Sequence, residues 1–247
     1  MFIGKKFLIV GAAGLLGRKL VKHLIEQNAL VVAVDIDFEK LQSLYAQETA
    51  VEIEALNLND EQQVISFFGD RSDLDGGVNC SYPRNSKYGA HFYDVDLASF
   101  NENISLHLGG SFLLMQQAAV YFERVKTPFS LVNIASIYGV VAPRFDIYDG
   151  LKMTMPVEYA AIKSALIHLS KYVVRYVGCS DFRCNVVSPG GLFDHQPESF
   201  LERYKQHSLS KGMLDVEDVL GSIAFLLSDQ SKYVNGQNLV VDDGFSL

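Results

Sequence analysis

Apolar and polar positions follow two rhythms along the chain. Short apolar runs at residues 7–10, 30–34, 129–135 and 182–187 read as strands buried on both faces. Residues 51–58 alternate apolar with polar, and 238–241 form a last short run. Residues 74–79 read as a further strand that Gly76 and Gly77 weaken. Between these runs Leu16, Leu20, Leu24 and Ile25 recur at helical spacing, and Val64, Phe67 and Phe68 suggest a short helix. Longer helices are predicted over 100–122 and 158–177, and another over 216–227. Strand and helix alternating at this pitch predict a doubly wound α/β fold, a central parallel sheet of about seven strands with helices on both faces. No linker or repeat divides 1–247, which reads as one domain. Residues 81–94 and 141–156 fit the alternation badly. Both follow strands, on the side of an open sheet where ligands bind.

Composition narrows the function classes. With 49% hydrophobic residues among 247, disorder is excluded. A net charge of −8 without a Lys/Arg run excludes gripping nucleic acid or an anionic membrane. Three cysteines, Cys80, Cys179 and Cys184, make no disulfide framework and point to a reducing compartment, the cytoplasm. The apolar start passes straight into an amphipathic helix, so it reads as a first strand rather than a leader. Asn103-Ile104-Ser105 has the glycosylation pattern but lies on a predicted helix, and the six histidines and three cysteines show no metal-ligand spacing.

Two constellations carry chemistry. Gly11-Ala12-Ala13-Gly14-Leu15-Leu16-Gly17 joins the first strand to the first helix, where glycines allow backbone to approach a pyrophosphate at a helix N-terminus. The same trio would serve an ordinary turn. Asp35, closing the second strand, suits the two hydroxyls of an adenosine ribose and repels a 2′-phosphate. No cation stands in the glycine turn or in Ile36-Asp37-Phe38, which points to NAD. Further on, Tyr159 and Lys163 share one helix face at a spacing of four, and an adjacent ammonium is expected to lower the phenol's pKa. Ser136 follows the strand at 129–135, where its hydroxyl would meet a substrate oxygen.

These motifs occur in the order of a short-chain dehydrogenase/reductase, which the sequence resembles over essentially its whole length. Asn79, Pro189-Gly190 and the terminal Asn235-Gly236-Gln237…Asp242-Asp243-Gly244 add to that order. The resemblance implies a Rossmann-type fold and an NAD-dependent oxidoreductase. Tyr159 would be the acid/base and Ser136 would position the reacting oxygen, while Lys163 would bind the nicotinamide ribose. It adds Ala13, Leu15, Leu16, Ile36, Asn57, Leu58, Cys80, Ser81 and Leu192 to the cofactor contacts of Gly11, Gly14, Gly17 and Asp35. Family members pair through the two long helices, which implies a homodimer or homotetramer.

The departures shape the rest. Gly110-Ser111-Phe112 fixes the register so that His107 stands where the family usually has a catalytic Asn. It is either a titrating relay member or a filler of the helix. Asn79-Cys80-Ser81-Tyr82 replaces the usual Asn-Asn-Ala-Gly. The glycine spacing, and the 23 residues from Ser136 to Tyr159, are closer to the family's extended, nucleotide-sugar branch, yet the extra C-terminal domain of that branch is missing. Tyr82, Arg84, Arg144, Tyr148 and His195 are candidate substrate contacts, with Arg suited to phosphate and Tyr to sugar hydroxyls. The alternative for Arg84 and Arg144 is structural salt bridges. Residues 194–204 would form a lid. The wider pattern, including Ala142-Pro143-Arg144-Phe145, resembles a bacterial flagellin modification protein A-like subgroup, linked to nonulosonate-type surface sugars. Two rivals stand beside a sugar dehydrogenase: an epimerase or dehydratase that retains NAD, and a catalytically silent dinucleotide-binding protein.

Overall fold

Each apolar run becomes a strand of one parallel sheet in a computed structural model that describes all residues, Met1–Leu247. The strands are β1 (Lys6–Val10), β2 (Leu30–Asp35), β3 (Val51–Ala55), β4 (Gly76–Asn79), β5 (Phe129–Ile134), β6 (Phe182–Pro189) and β7 (Asn238–Val241), in the order β3-β2-β1-β4-β5-β6-β7. β1 pairs with β2 on one side and β4 on the other, so Val10 lies beside both Val34 and Asn79. Strand order reverses here, and the crevice beyond the carboxyl ends of β1 and β4 is where a doubly wound sheet binds ligands.

Alternation along the strands splits the core in two. Phe7, Ile9, Val31 and Ala33 face a cluster that α1 (Leu15–Glu26) and α2 (Phe38–Tyr45) help to build. Leu8, Val10, Val32 and Val34 face the opposite cluster, which holds Val64, Phe67 and Phe68 of α3 (Glu61–Gly69).

The helix expected over 100–122 is longer and not uniform. It runs as α4 (Leu97–Asn103), a π-helical segment (Ile104–Gly109) and α5 (Gly110–Val125). The Asp96 carboxylate starts it by accepting from the Ser99 N–H at 2.8 Å, and Lys126 ends it with a left-handed φ of 61°. α5 and α6 (Val157–Val177) cover the same sheet face as α3. Gly76 and Gly77 do not weaken β4. A Cβ on Gly76 would stand 2.3 Å from the Ser130 carbonyl oxygen, so the absent side chain lets β4 and β5 lie together.

Two eight-residue helices, α2 and α7 (Glu198–Lys205), have no counterpart in the sequence reading. α7 sits within the expected lid and is well anchored. Its Tyr204 hydroxyl accepts from the Gly191 N–H at 2.6 Å, and its ring stacks on Phe245 at 4.4 Å. α8 (Glu217–Leu227) packs against α1 on the first face. Between α7 and α8, the Asp243 carboxylate accepts from the N–H groups of Ser210, Lys211 and Gly212 at 2.9, 2.6 and 3.0 Å. No helix is long and apolar enough to cross a membrane, and the three cysteines are free.

Candidate active site

The crevice is a cleft of about 860 Å³ that runs across the ends of β1, β4, β5 and β6. Gly11, Gly14, Leu15 and Leu16 line one end, with Asp35, Ile36, Asn57 and Leu58 beside them. Cys80, Ser81, Ser136, Tyr159, Lys163, Pro189, Gly190 and Leu192 line the middle. The sequence therefore brought most of its candidates to one place.

The glycine turn is a close-packed cradle. Gly11 has φ +77°, and a Cβ there would lie 2.9 Å from the Cys80 and Ser81 backbone. A Cβ on Gly17 would lie 2.1 Å from the Gly11 carbonyl oxygen, which brings α1 against the turn. Neither a capping side chain nor an acidic residue occupies the first turn of α1. Its free N–H groups and positive end therefore face the cleft, an arrangement that suits a pyrophosphate. Ala13 does not line the cleft; its N–H donates to Asp35 Oδ2 at 3.0 Å. The Asp37 N–H donates to Asp35 Oδ1 at 3.2 Å. These bonds fix the carboxylate at the mouth and leave it lone pairs for two ribose hydroxyls. The donor set fits a dinucleotide.

Asn79 also stands behind the lining. Its Oδ1 accepts from the Ser81 N–H and hydroxyl at 3.2 and 2.6 Å, and its amide donates to Ser111 Oγ at 3.0 Å. Ser111 Oγ donates in turn to the His107 carbonyl at 2.7 Å. The turn after β4 is thereby tied to the π-helical segment.

Ser136 leaves the end of β5 in extended conformation, and its Oγ accepts from the Tyr138 N–H at 3.2 Å. Tyr159 and Lys163 come from the first two turns of α6. Lys163 Nζ donates to the Ile134 carbonyl at 2.8 Å and lies 5.4 Å from the centre of the Tyr159 ring. The expected lowering of the phenol's pKa is not found. Burial pushes Tyr159 above its ordinary value, and hydrogen bonding with Ser136 opposes this only in part. Burial also pushes Lys163 down, to about 7. For both groups desolvation is the largest effect. His107 does not line the cleft; its Nε2 is 3.5 Å from Lys163 Nζ. Burial, then the charge of Lys163, holds its pKa to about 2, so it is not a group that titrates near neutrality.

At the far end the substrate candidates separate. Tyr82, Arg84 and Tyr148 line the cleft. Tyr82 packs edge-on to Tyr159 and His107 at 5.7 and 5.5 Å, and the Arg84 guanidinium lies 5.4 Å from its ring centre. Arg144 and His195 are elsewhere. Arg144 lies 5.7 Å over the Phe245 ring, and His195, with φ +61°, packs beside Phe193. Neither side chain lines the cleft. Neither Arg84 nor Arg144 forms an ion pair, so the salt-bridge alternative fails for both. Tyr138 and Met213, which sequence reasoning missed, complete this wall together with Phe200 and Tyr204 of the expected lid segment. Tyr138 carried a signal, since it follows Ser136 by two residues; Met213 arrives through the segment after α7.

A family model described as enoyl-(acyl carrier protein) reductase matches residues 11–246. The chain belongs to this family, within the short-chain dehydrogenase/reductases, and is an oxidoreductase of that class. It is 35% identical over 100% of both chains to post-translational flagellin modification protein A of Campylobacter coli. It is 26% identical to the 7alpha-hydroxysteroid dehydrogenase of Bacteroides fragilis, over 100% of this chain and 96% of that one. Among solved structures, a short-chain dehydrogenase from Leptospira borgpetersenii with bound NAD+ is similar, with a TM-score of 0.89 and 29% identity over 100% of this chain and 94% of that one.

Proposed function

We propose that the protein transfers a hydride between NAD and a secondary alcohol or ketone of a phosphorylated or nucleotide-linked sugar, in the making of a surface glycan. The observation that carries this reading is the convergence of Ser136, Tyr159 and Lys163 at the middle of a cleft whose one end offers a free helix N-terminus and Asp35. NAD would lie along Gly11, Gly14 and Leu16 toward Pro189, and when bound it supplies or accepts the hydride. Asp35 favours a ribose with free hydroxyls over a 2′-phosphate.

The residues of the chain handle the proton. Ser136 Oγ would donate to the substrate carbonyl oxygen and align it with Tyr159. The Tyr159 phenol donates its proton to that oxygen as the carbon is reduced, and takes it back in the reverse direction. Burial keeps this phenol protonated, so the free enzyme already carries the proton that reduction requires. The Lys163 ammonium stabilises the phenolate that remains. Arg84, unpaired at the cleft wall, would meet an anionic group of the substrate, with Tyr82 and Tyr148 beside the sugar ring.

The flagellin-modifying relative supports a sugar substrate, as does this polar wall. A homo-oligomer would form through α5 and α6, where Phe112, Val120, Tyr172 and Tyr176 are exposed. The free cysteines accord with a cytoplasmic protein. The decisive experiment supplies NAD or NADH with a panel of hexose phosphates, nucleotide sugars and their keto forms. Net change in NADH, falling at least a hundredfold in Tyr159→Phe, is the expected result. Tightly held NAD and sugar conversion without net NADH would instead mean an epimerase or dehydratase.

A further inference from the structure

The lysine of this site sits in an unusual environment. Lys163 is 4% exposed, and no carboxylate pairs with it. Facing it are Cys80 and Tyr82 from the segment after β4, Ile134 from β5, His107 from the π-helical segment and Tyr159 from its own helix. Burial pushes the Cys80 thiol up to about 12, so it brings no negative charge. An ammonium has three N–H donors, and a buried one needs acceptors. The Ile134 carbonyl takes one at 2.8 Å. A side-chain acceptor, His107 Nε2, stands 3.5 Å away.

We infer that His107 is a positioning residue for Lys163: its Nε2 is the second acceptor that fixes the ammonium against the end of β5, leaving the third N–H for the cleft. The inference deepens the proposed reaction and rests on it for the use made of Lys163. Three features hold the imidazole to this task. The π-helical segment carries it, and the Ser111 hydroxyl bonded to its carbonyl pins that backbone. The edge-on Tyr82 ring, centred 5.5 Å away, fixes the ring plane. In the tautomer that accepts at Nε2, the ring proton sits on Nδ1, which is buried without a partner. That unpaired donor is a cost the fold bears while Nε2 is kept as an acceptor. A neutral acceptor steadies the ammonium without cancelling its charge. A carboxylate in the same place would form an ion pair and weaken the field that Lys163 exerts on Tyr159.

The test follows the ¹⁵N resonance of Lys163 Nζ through a pH titration of the ligand-free protein. Wild type is compared with His107→Gln, which keeps a neutral acceptor of similar reach, and His107→Phe, which keeps a ring without one. Losing an acceptor disfavours the ammonium, so His107→Phe is expected to lower the midpoint by about one pH unit, a tenfold change in the ionisation constant. His107→Gln is expected to restore it. The alkaline limb of kcat should move in the same order, with little change in substrate KM. Coincident midpoints in the three proteins would overturn the inference, as would a folded Gln variant that titrates like Phe. If His107→Phe does not fold, His107→Leu, which also lacks an acceptor, replaces it under the same criterion. Turnover of Tyr159→Phe, measured in parallel, reports on the reaction itself: retained activity there would remove the proposed chemistry while leaving the lysine titration to be judged separately.

Discussion

Lys163 Nζ donates to the Ile134 carbonyl oxygen at 2.8 Å, and this bond joins the second turn of α6 to the last residue of β5. It also holds the Lys163 amine largely out of solvent, at 4% exposure. The pKa of Lys163 falls from 10.5 to about 7 on folding, because burial penalises the charged form. Between these values the unfolded chain binds the proton and the folded one does not, so stability rises with pH across that window. Below about pH 7 the buried charge is carried at full cost. Lys163→Met should therefore be more stable than wild type at pH 6, by on the order of 5 kcal/mol at most. The gain should shrink as pH approaches 10, and activity should be lost throughout. Thermal melts at pH 6, 8 and 9.5 check this; an advantage that does not vary with pH would refute the assignment of its cause.

Asp35 has two tasks that one substitution separates. Asp35→Asn keeps an oxygen for the Ala13 N–H, now 3.0 Å from Oδ2, while it removes the negative charge and the weaker acceptor used by the Asp37 N–H at 3.2 Å. We expect the KM for NAD to rise roughly tenfold and the discrimination against NADP to fall by about 1–2 kcal/mol. Paired kcat/KM values for the two cofactors decide it. An unchanged ratio would mean that charge at this position does not select the cofactor.

Gly17 leaves no room for a methyl group. Its Cβ would stand 2.1 Å from the Gly11 carbonyl and 2.8 Å from the Ala12 α-carbon, both of them backbone that cannot rotate away. Gly17→Ala should cost about 3 kcal/mol, seen as a fall of roughly 6–12 °C in Tm. Gly69→Ala, with nothing within 4 Å, is the matched control and should move Tm by no more than about 2 °C.

The two arginines should behave differently although the sequence gives them similar surroundings. Arg84 lines the cleft, whereas Arg144 lies over Phe245 outside it. Arg84→Ala should raise the KM of a phosphorylated substrate by ten- to a hundredfold, the worth of a charge-assisted bond. Arg144→Ala should change KM less than threefold. Equal effects from both would show that the anionic group does not bind at the Tyr82 end.

The sheet was readable because its buried strands are nearly uninterrupted apolar runs, as 30–34 and 129–135 show. The glycine turn, Asp35 and Ser136 were readable because each sits at the end of one of those runs, and Tyr159 and Lys163 because a spacing of four puts them on one helix face. The electrostatics were not. Spacing put Tyr159 beside Lys163, but only burial decides that the phenol is pushed up rather than down. Nor does spacing show whether an Arg on an irregular segment points inward, which is why Arg84 and Arg144 looked alike. α2 and α7 escaped because eight residues give barely two turns of periodicity, and α7 is fixed by contacts with Ile147 and Tyr148 and with the far end of the chain.

Those contacts have a consequence for how the protein breathes. The floor of the substrate end is bolted to the tail: Tyr204 to Phe245 by ring stacking, and residues 210–212 to Asp243 by a fan of backbone bonds. Those donors hold the Asp243 carboxyl down to about pH 2, so the fastening stays ionised through any mild acid. Solvent exchange at these amides should thus rise and fall together with that of the last four residues, and whatever frays the tail will be felt first as a leak in the wall of the cleft.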